Sequence, residues 1–264
     1  MIQERIKSDY EYVESLGYRV LGVFLQGSQN YGLAYEGSDI DTKCIVLPSF
    51  EDFCLNKKPV STTLILPSNE HIDLKDIRLM FECFKKQNVN FVEILFTKYR
   101  KINQKYEALY QPMLDNAELI ARYNNYAFIN CMVGMSVEKF KTLEHPYPTL
   151  VEKIKKYGYD PKQLHHIVRM NEFAKRYIAG TTYQDCLSSQ IAEYLIDIKR
   201  GCHTLEEARK ISKQMLNETI ELKNKYVEST PLQINTEVDK LMNKVLLDVL
   251  KKSFLLEMGC MTDA

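Results

Sequence analysis

The sequence lacks any run of about eighteen apolar residues, the length a membrane-spanning helix needs, so no membrane role is expected. Its start, Met-Ile-Gln-Glu-Arg-Ile-Lys, lacks the apolar stretch and small-residue cleavage site of a secretory signal. It also lacks an excess of either charge. Lys and Arg number 35, as do Asp and Glu, so net charge points to no polyanionic partner and any nucleic-acid contact must come from a local patch. The seven cysteines include no C-x-x-C pair, which leaves no structural zinc site to propose. Cys44, Cys83 and Cys131 sit among apolar residues and read as buried free thiols. Together these absences describe a soluble, cytoplasmic protein without low-complexity segments or fixed-period repeats.

What is present is a hydrophobic fraction of 45% over 264 residues, enough for one large domain or two ordinary ones. The rhythm of the chain changes part-way. Ile2, Ile6, Tyr10, Val13 and Leu16 recur at helical spacing and stop at Gly17. Val20 to Leu25 is apolar on both faces and reads as a covered strand. Asp39 to Leu47, Thr62 to Leu66 and Glu70 to Lys75 read as further extended segments, before helical periodicity returns from Asp76 to Gln87. Beyond residue 115 strands disappear. Pro161 to Ala179, Ser188 to Ile198, Thr204 to Val227 and Val238 to Leu256 are all helical in period, and Thr204 with Glu207 forms a capping box. The expected architecture is α+β: a mixed sheet with helices over residues 1–105, then an all-helical domain over residues 106–264.

The chemistry concentrates in "LQGSQNYGLAYEGSDIDTKCIV", Leu25 to Val46. Gly27, directly after a covered strand, lets the backbone turn sharply and approach a ligand. Ser28 adds a hydroxyl where a short helix would begin, and free N–H groups there attract phosphate. Gly32 relaxes the exit of the turn, while Gly37 and Ser38 read as a simple turn. Asp39 and Asp41, two apart on a strand, project to one face with alpha carbons about 6.5 Å apart. Two anions that close call for a cation between them. Hard oxygen donors favour Mg²⁺ or Mn²⁺ over zinc. A second metal ion would need a third carboxylate. Asp73 in "EHIDLKDI" is the leading candidate, with Glu70 in a turn and Asp76 as a helix N-cap the competitors.

"GSQNYGL" followed by "SDID" resembles the G-S…D-x-D signature of the DNA polymerase beta superfamily of nucleotidyltransferases, and Asp73 matches the later carboxylate. The closer likeness is to stand-alone bacterial and phage predicted nucleotidyltransferases, carried by Asn88, Asn90 and Glu93 in an N-x-N-x-x-E stretch and continued in "DPKQLHHIVR" and "LIDIKRGCHTLEEA". It spans about residues 18 to 210. The resemblance implies transfer of a nucleoside monophosphate from an NTP to an acceptor hydroxyl, with release of pyrophosphate. It further implies that Ser28, with Gly27, cradles the triphosphate, that Asp39 and Asp41 bind Mg²⁺ or Mn²⁺, and that Asp73 completes the acceptor-side metal site. The acceptor it leaves open: an RNA end, a protein side chain or a small molecule. A non-catalytic nucleotide-binding regulatory or antitoxin-like protein of the same fold is the alternative, and phosphoester hydrolysis a third.

Outside this stretch, Lys162, His166 and Arg169 share one face of a helix, suited to a triphosphate or to solvent. Lys199 and Arg200 read as helix C-terminal cations before Gly201. Lys43 shares Asp41's face, near substrate or exposed. Tyr31 reads as packing rather than base stacking. Asn90 and Glu93 are expected at the junction between the halves, and "KYRKINQKYEALY" as a charged junction or a single-strand binder.

Overall fold

A computed structural model describes residues 2–35 and 38–260. Its contacts divide into two compact units: residues 1–30, 37–123 and 234–264 form a sheet unit, and residues 31–36 and 124–233 a helical unit.

In the sheet unit, α1 (Ile2–Ser15) leads into β1 (Arg19–Gln26), which is followed by β2 (Asp41–Leu47), α2 (Phe50–Cys54), β3 (Ser61–Ile65) and β4 (His71–Asp76). Then come α3 (Ile77–Lys85), α4 (Val89–Val92), β5 (Arg100–Ile102), α5 (Gln104–Asp115) and α6 (Ala117–Ala121). The sheet order is β3-β4-β2-β1-β5, with β2 and β4 parallel and the other pairs antiparallel. Mixed sheet and helices agree with the expected α+β class. Ile6, Tyr10 and Val13 of α1 bury one face with Val23, Leu25, Cys44, Val46, Ile72 and Leu74. On the other face Phe24 meets Tyr110 of α5, ring centroids 6.0 Å apart. Both faces of β1 are therefore covered, as its continuous apolar run requires.

Two local expectations shift. Asp39 precedes β2, which begins at Asp41, because the β1–β2 ladder ends at Gln26 opposite Asp41 and Gly27 then turns β1's chain away. The expected junction "KYRKINQKYEALY" supplies edge strand β5 and helix α5, whose Tyr106 and Tyr110 are buried as core. The long helix α13 (Thr236–Glu257) lies in the sheet unit. Its Asp239 pairs with Lys85 of α3 at 2.9 Å.

The helical unit comprises α7 (Asn125–Thr142), α8 (Val151–Tyr157), α9 (Pro161–Ile178), α10 (Tyr183–Leu187), α11 (Ala192–Lys199) and α12 (Leu205–Ser229). Asp160 caps α9 and the Thr204–Glu207 capping box opens α12. Phe128 stacks on Tyr177 at 3.7 Å, beside Phe173 and Tyr183, to make the aromatic centre of this unit. Among the described residues no helix is long and apolar enough to cross a membrane.

Candidate active site

The strand order brings the chemistry of the sheet unit to one end of the sheet. Gln26 pairs with Asp41, so the Gly27–Ser28 turn that leaves β1 stands beside the first residue of β2. β4 runs parallel to β2 with Thr42 opposite Ile72 and Lys43 opposite Asp73. Alternation along the strands then sets Asp41, Lys43 and Asp73 on one face, while Thr42 and Cys44 turn to the α1 side.

Each piece is fastened by its neighbours. Gly27 has φ +79°, a left-handed conformation that side-chain-bearing residues resist, and a Cβ there would meet open space. Its N–H donates to the buried carboxylate of Glu93 at 3.4 Å. The 3-10 turn Gly27–Asn30 is closed by Asn30, whose amide donates to the Leu25 carbonyl at 2.8 Å and accepts from the Thr97 hydroxyl at 2.7 Å. The segment carrying Asp39 is held at Ile40, whose N–H donates to Glu70 at 3.1 Å. Burial alone works against the Glu70 carboxylate, but the Ser68 hydroxyl, the Ile40 N–H and the Arg5 guanidinium outweigh it and hold its pKa below the ordinary value. Arg5 also pairs with buried Asp9 at 2.6 Å, and Asp9 accepts from Thr42 at 2.7 Å. In return, Asp41 accepts the His71 N–H at 2.9 Å.

Of the three carboxylates weighed for the acceptor side, Glu70 is engaged as above. Asp76 is the N-cap of α3, bonded to the Arg78 N–H and guanidinium, as expected of it. Asp73 faces the site but binds Lys43 at 2.6 Å. Lys43 is neither exposed nor at the periphery: it is buried against the Phe91 ring, 4.0 Å from its centroid. Among the described residues no three His, Cys, Asp or Glu side chains are grouped closely enough to hold a metal ion. Asp39 is exposed and Asp41 half-exposed, and both are hard oxygen donors of the kind Mg²⁺ or Mn²⁺ takes, whereas the Asp73 carboxylate is already paired with the Lys43 ammonium.

A family model described as the RNA repair pathway DNA polymerase beta family matches residues 2–248. The chain belongs to the RNA repair pathway DNA polymerase beta family. Membership makes this polymerase beta family chain a nucleotidyltransferase. Among solved structures it is similar to a nucleotidyltransferase-like protein from Exiguobacterium sibiricum 255-15 at 10% identity and TM-score 0.30, over 96% of this chain and 80% of that one, a likeness too loose to carry an argument. No curated protein matches.

The remaining candidates of this polymerase beta family member lie in the helical unit, on α9. Lys162 is exposed, His166 half-buried and Arg169 buried, its guanidinium 3.7 Å above the Tyr31 ring, so Tyr31 serves packing. Burial first, then the charges of neighbouring His165, Arg169 and Lys162, pushes the His166 imidazole well below its ordinary pKa. His166 is therefore neutral at physiological pH and offers hydrogen bonding rather than charge. Lys199 is more than a helix-end cation. It donates to the Leu33 carbonyl at 3.1 Å, and burial, with Lys162 and Arg169 nearby, lowers it to about 8.

Sequence reasoning undervalued Glu93, Glu70 and Lys43. Glu93 stands in the N-x-N-x-x-E stretch, yet nothing local announces a contact 66 residues away at Gly27. The signal for Lys43 was its place directly before the apolar "CIVL" run of a strand whose following residues are all buried.

Proposed function

We propose that this nucleotidyltransferase moves a nucleoside monophosphate from an NTP to a hydroxyl at an RNA end in the cytoplasm, releasing pyrophosphate. The observation that carries the reading is the register of β1, β2 and β4. It sets the phosphate-suited turn at Gly27 and Ser28 beside Asp41, with Asp73 across the parallel ladder. RNA is favoured as acceptor by the family's description as an RNA repair pathway group.

In this reading the Gly27–Ser28 turn meets the triphosphate through the Ser28 hydroxyl, since the Gly27 N–H is committed to Glu93. Asp39 and Asp41 would hold Mg²⁺ or Mn²⁺, which when bound supplies charge neutralisation at the phosphate oxygens. Asp73 faces the acceptor hydroxyl. The acceptor oxygen forms its bond to the α-phosphorus as the bond to the bridging oxygen breaks, and the proton leaves to solvent. The protein's work is positioning and charge placement.

Incubation with α-labelled ATP, GTP, CTP and UTP, Mg²⁺ and separate pools of RNA, protein and small molecules tests this. Label on RNA is the expected result. Label on protein alone moves the acceptor, binding without transfer supports the non-catalytic alternative, and free NMP without acceptor labelling supports hydrolysis.

A further inference from the structure

Lys43 sits two residues past Asp41 on β2 and in register with Asp73 on its parallel neighbour. Neighbours in register share a face, so the two side chains meet, Nζ to Oδ2 at 2.6 Å. The Phe91 ring closes the other side of the ammonium, and the Lys43 side chain is only 4% exposed. The charge therefore cannot swing into water without displacing Phe91 or Asp73.

A divalent ion ligated by Asp73 would strip this buried ammonium of its carboxylate and set two more positive charges beside it. Breaking a buried pair by removing one partner is the costly case, since the remaining charge is left uncompensated. Neither competitor relieves it, as Glu70 is bound to Arg5, Ser68 and Ile40 and Asp76 to Arg78. Asp73 itself stays 21% exposed, so its carboxylate keeps access to an acceptor O–H.

We propose that the Lys43 ammonium supplies the positive charge on the acceptor side, so that the reaction uses one divalent ion, on Asp39 and Asp41, in place of two. The inference rests on the nucleotidyl-transfer reading above. Lys43 is a positioning residue: it acts through Asp73, fixing the orientation of the carboxylate that meets the acceptor.

The test counts ions directly. Mn²⁺ is titrated into the protein with a non-hydrolysable NTP analogue and followed by electron paramagnetic resonance. One bound Mn²⁺ per chain, without the spin coupling of a close pair, is expected for the wild type and for Lys43→Arg, which keeps the charge. Lys43→Met should admit a second, spin-coupled ion at the released Asp73. A coupled pair in the wild type overturns the proposal, and so does a folded Lys43→Met that stays at one ion. If Lys43→Met does not fold, the wild-type and Lys43→Arg spectra decide. A wild type that holds one uncoupled Mn²⁺ yet transfers no nucleotide counts against the function proposed above and leaves the ion count standing.

Discussion

Glu70 offers the sharpest separation of positioning from mere stability. Its carboxylate takes the Ile40 N–H between the two aspartates and ties it through Arg5 to buried Asp9. Replacing Glu70 with Ala frees that N–H and breaks the Arg5 pair. A hydrogen bond to a charged acceptor is worth about 1.5–3 kcal/mol. Glu70 is about a fifth exposed, which puts the backbone bond at the lower end, and the Arg5 pair adds up to about 1 kcal/mol. If the backbone bond's ordering falls on the Asp39–Asp41 segment, about 1.4 kcal/mol of lost positioning is a tenfold fall in kcat. Glu70→Gln keeps an oxygen for Ile40 and loses only the ion pair, so its kcat should stay within about threefold of wild type, a change worth under 1 kcal/mol. Steady-state nucleotide transfer, with KM for NTP measured alongside, gives the answer. Wild-type kcat in Glu70→Ala, or equal losses in both variants, refutes a positioning role for this bond.

Gly27→Ala should cost about 1–2 kcal/mol through the left-handed φ alone, because an added Cβ meets no atom; Gly27→Asn, which tolerates that φ better, should recover part of both stability and kcat/KM in denaturant and kinetic measurements. His165 predicts an acid limit. Burial first, then Lys199, pushes its imidazole down to about 3, and its ring nitrogen lies 3.0 Å from the Leu195 carbonyl. A depressed folded-state pKa contributes stability that is complete above the unfolded value near 6.5 and is lost as pH falls from there toward 3, at about 1.4 kcal/mol for each pH unit. Urea unfolding at pH 7 and pH 5 should therefore differ by ~2 kcal/mol more in the wild type than in His165→Asn; an equal difference in the two proteins contradicts the assignment.

The sequence was most legible where one element's period or its breaker dominates. Helix α1 ends before Gly17, β1 is apolar on both faces because both are covered, and Asp76 and Thr204 cap the helices their spacing announces. β5 escaped because an edge strand of three residues, two of them charged, carries no alternation to read. The start of β2 was placed too early because strand length is decided by the partner, and β1 has no residue left to pair with Asp39 once Gly27 turns. Local chemistry singled out Gly27, Ser28, Asp41 and Asp73 as candidates, and the register sets these four at one end of the sheet. Glu93, Glu70 and the Lys43–Asp73 pair were hidden, since each contact spans 30 or more residues and depends on strand order.

Following an α-phosphate label from NTP to RNA while counting pyrophosphate tests the proposed metal-assisted nucleotidyl transfer through Asp39 and Asp41. Wild-type protein in Mg²⁺ should transfer label with one pyrophosphate released for each nucleotide added, and Asp39→Asn and Asp41→Asn should each lose transfer while keeping the wild-type circular dichroism spectrum. Label transfer that survives in Asp41→Asn, or in the wild type under excess EDTA, contradicts metal-assisted transfer at these aspartates.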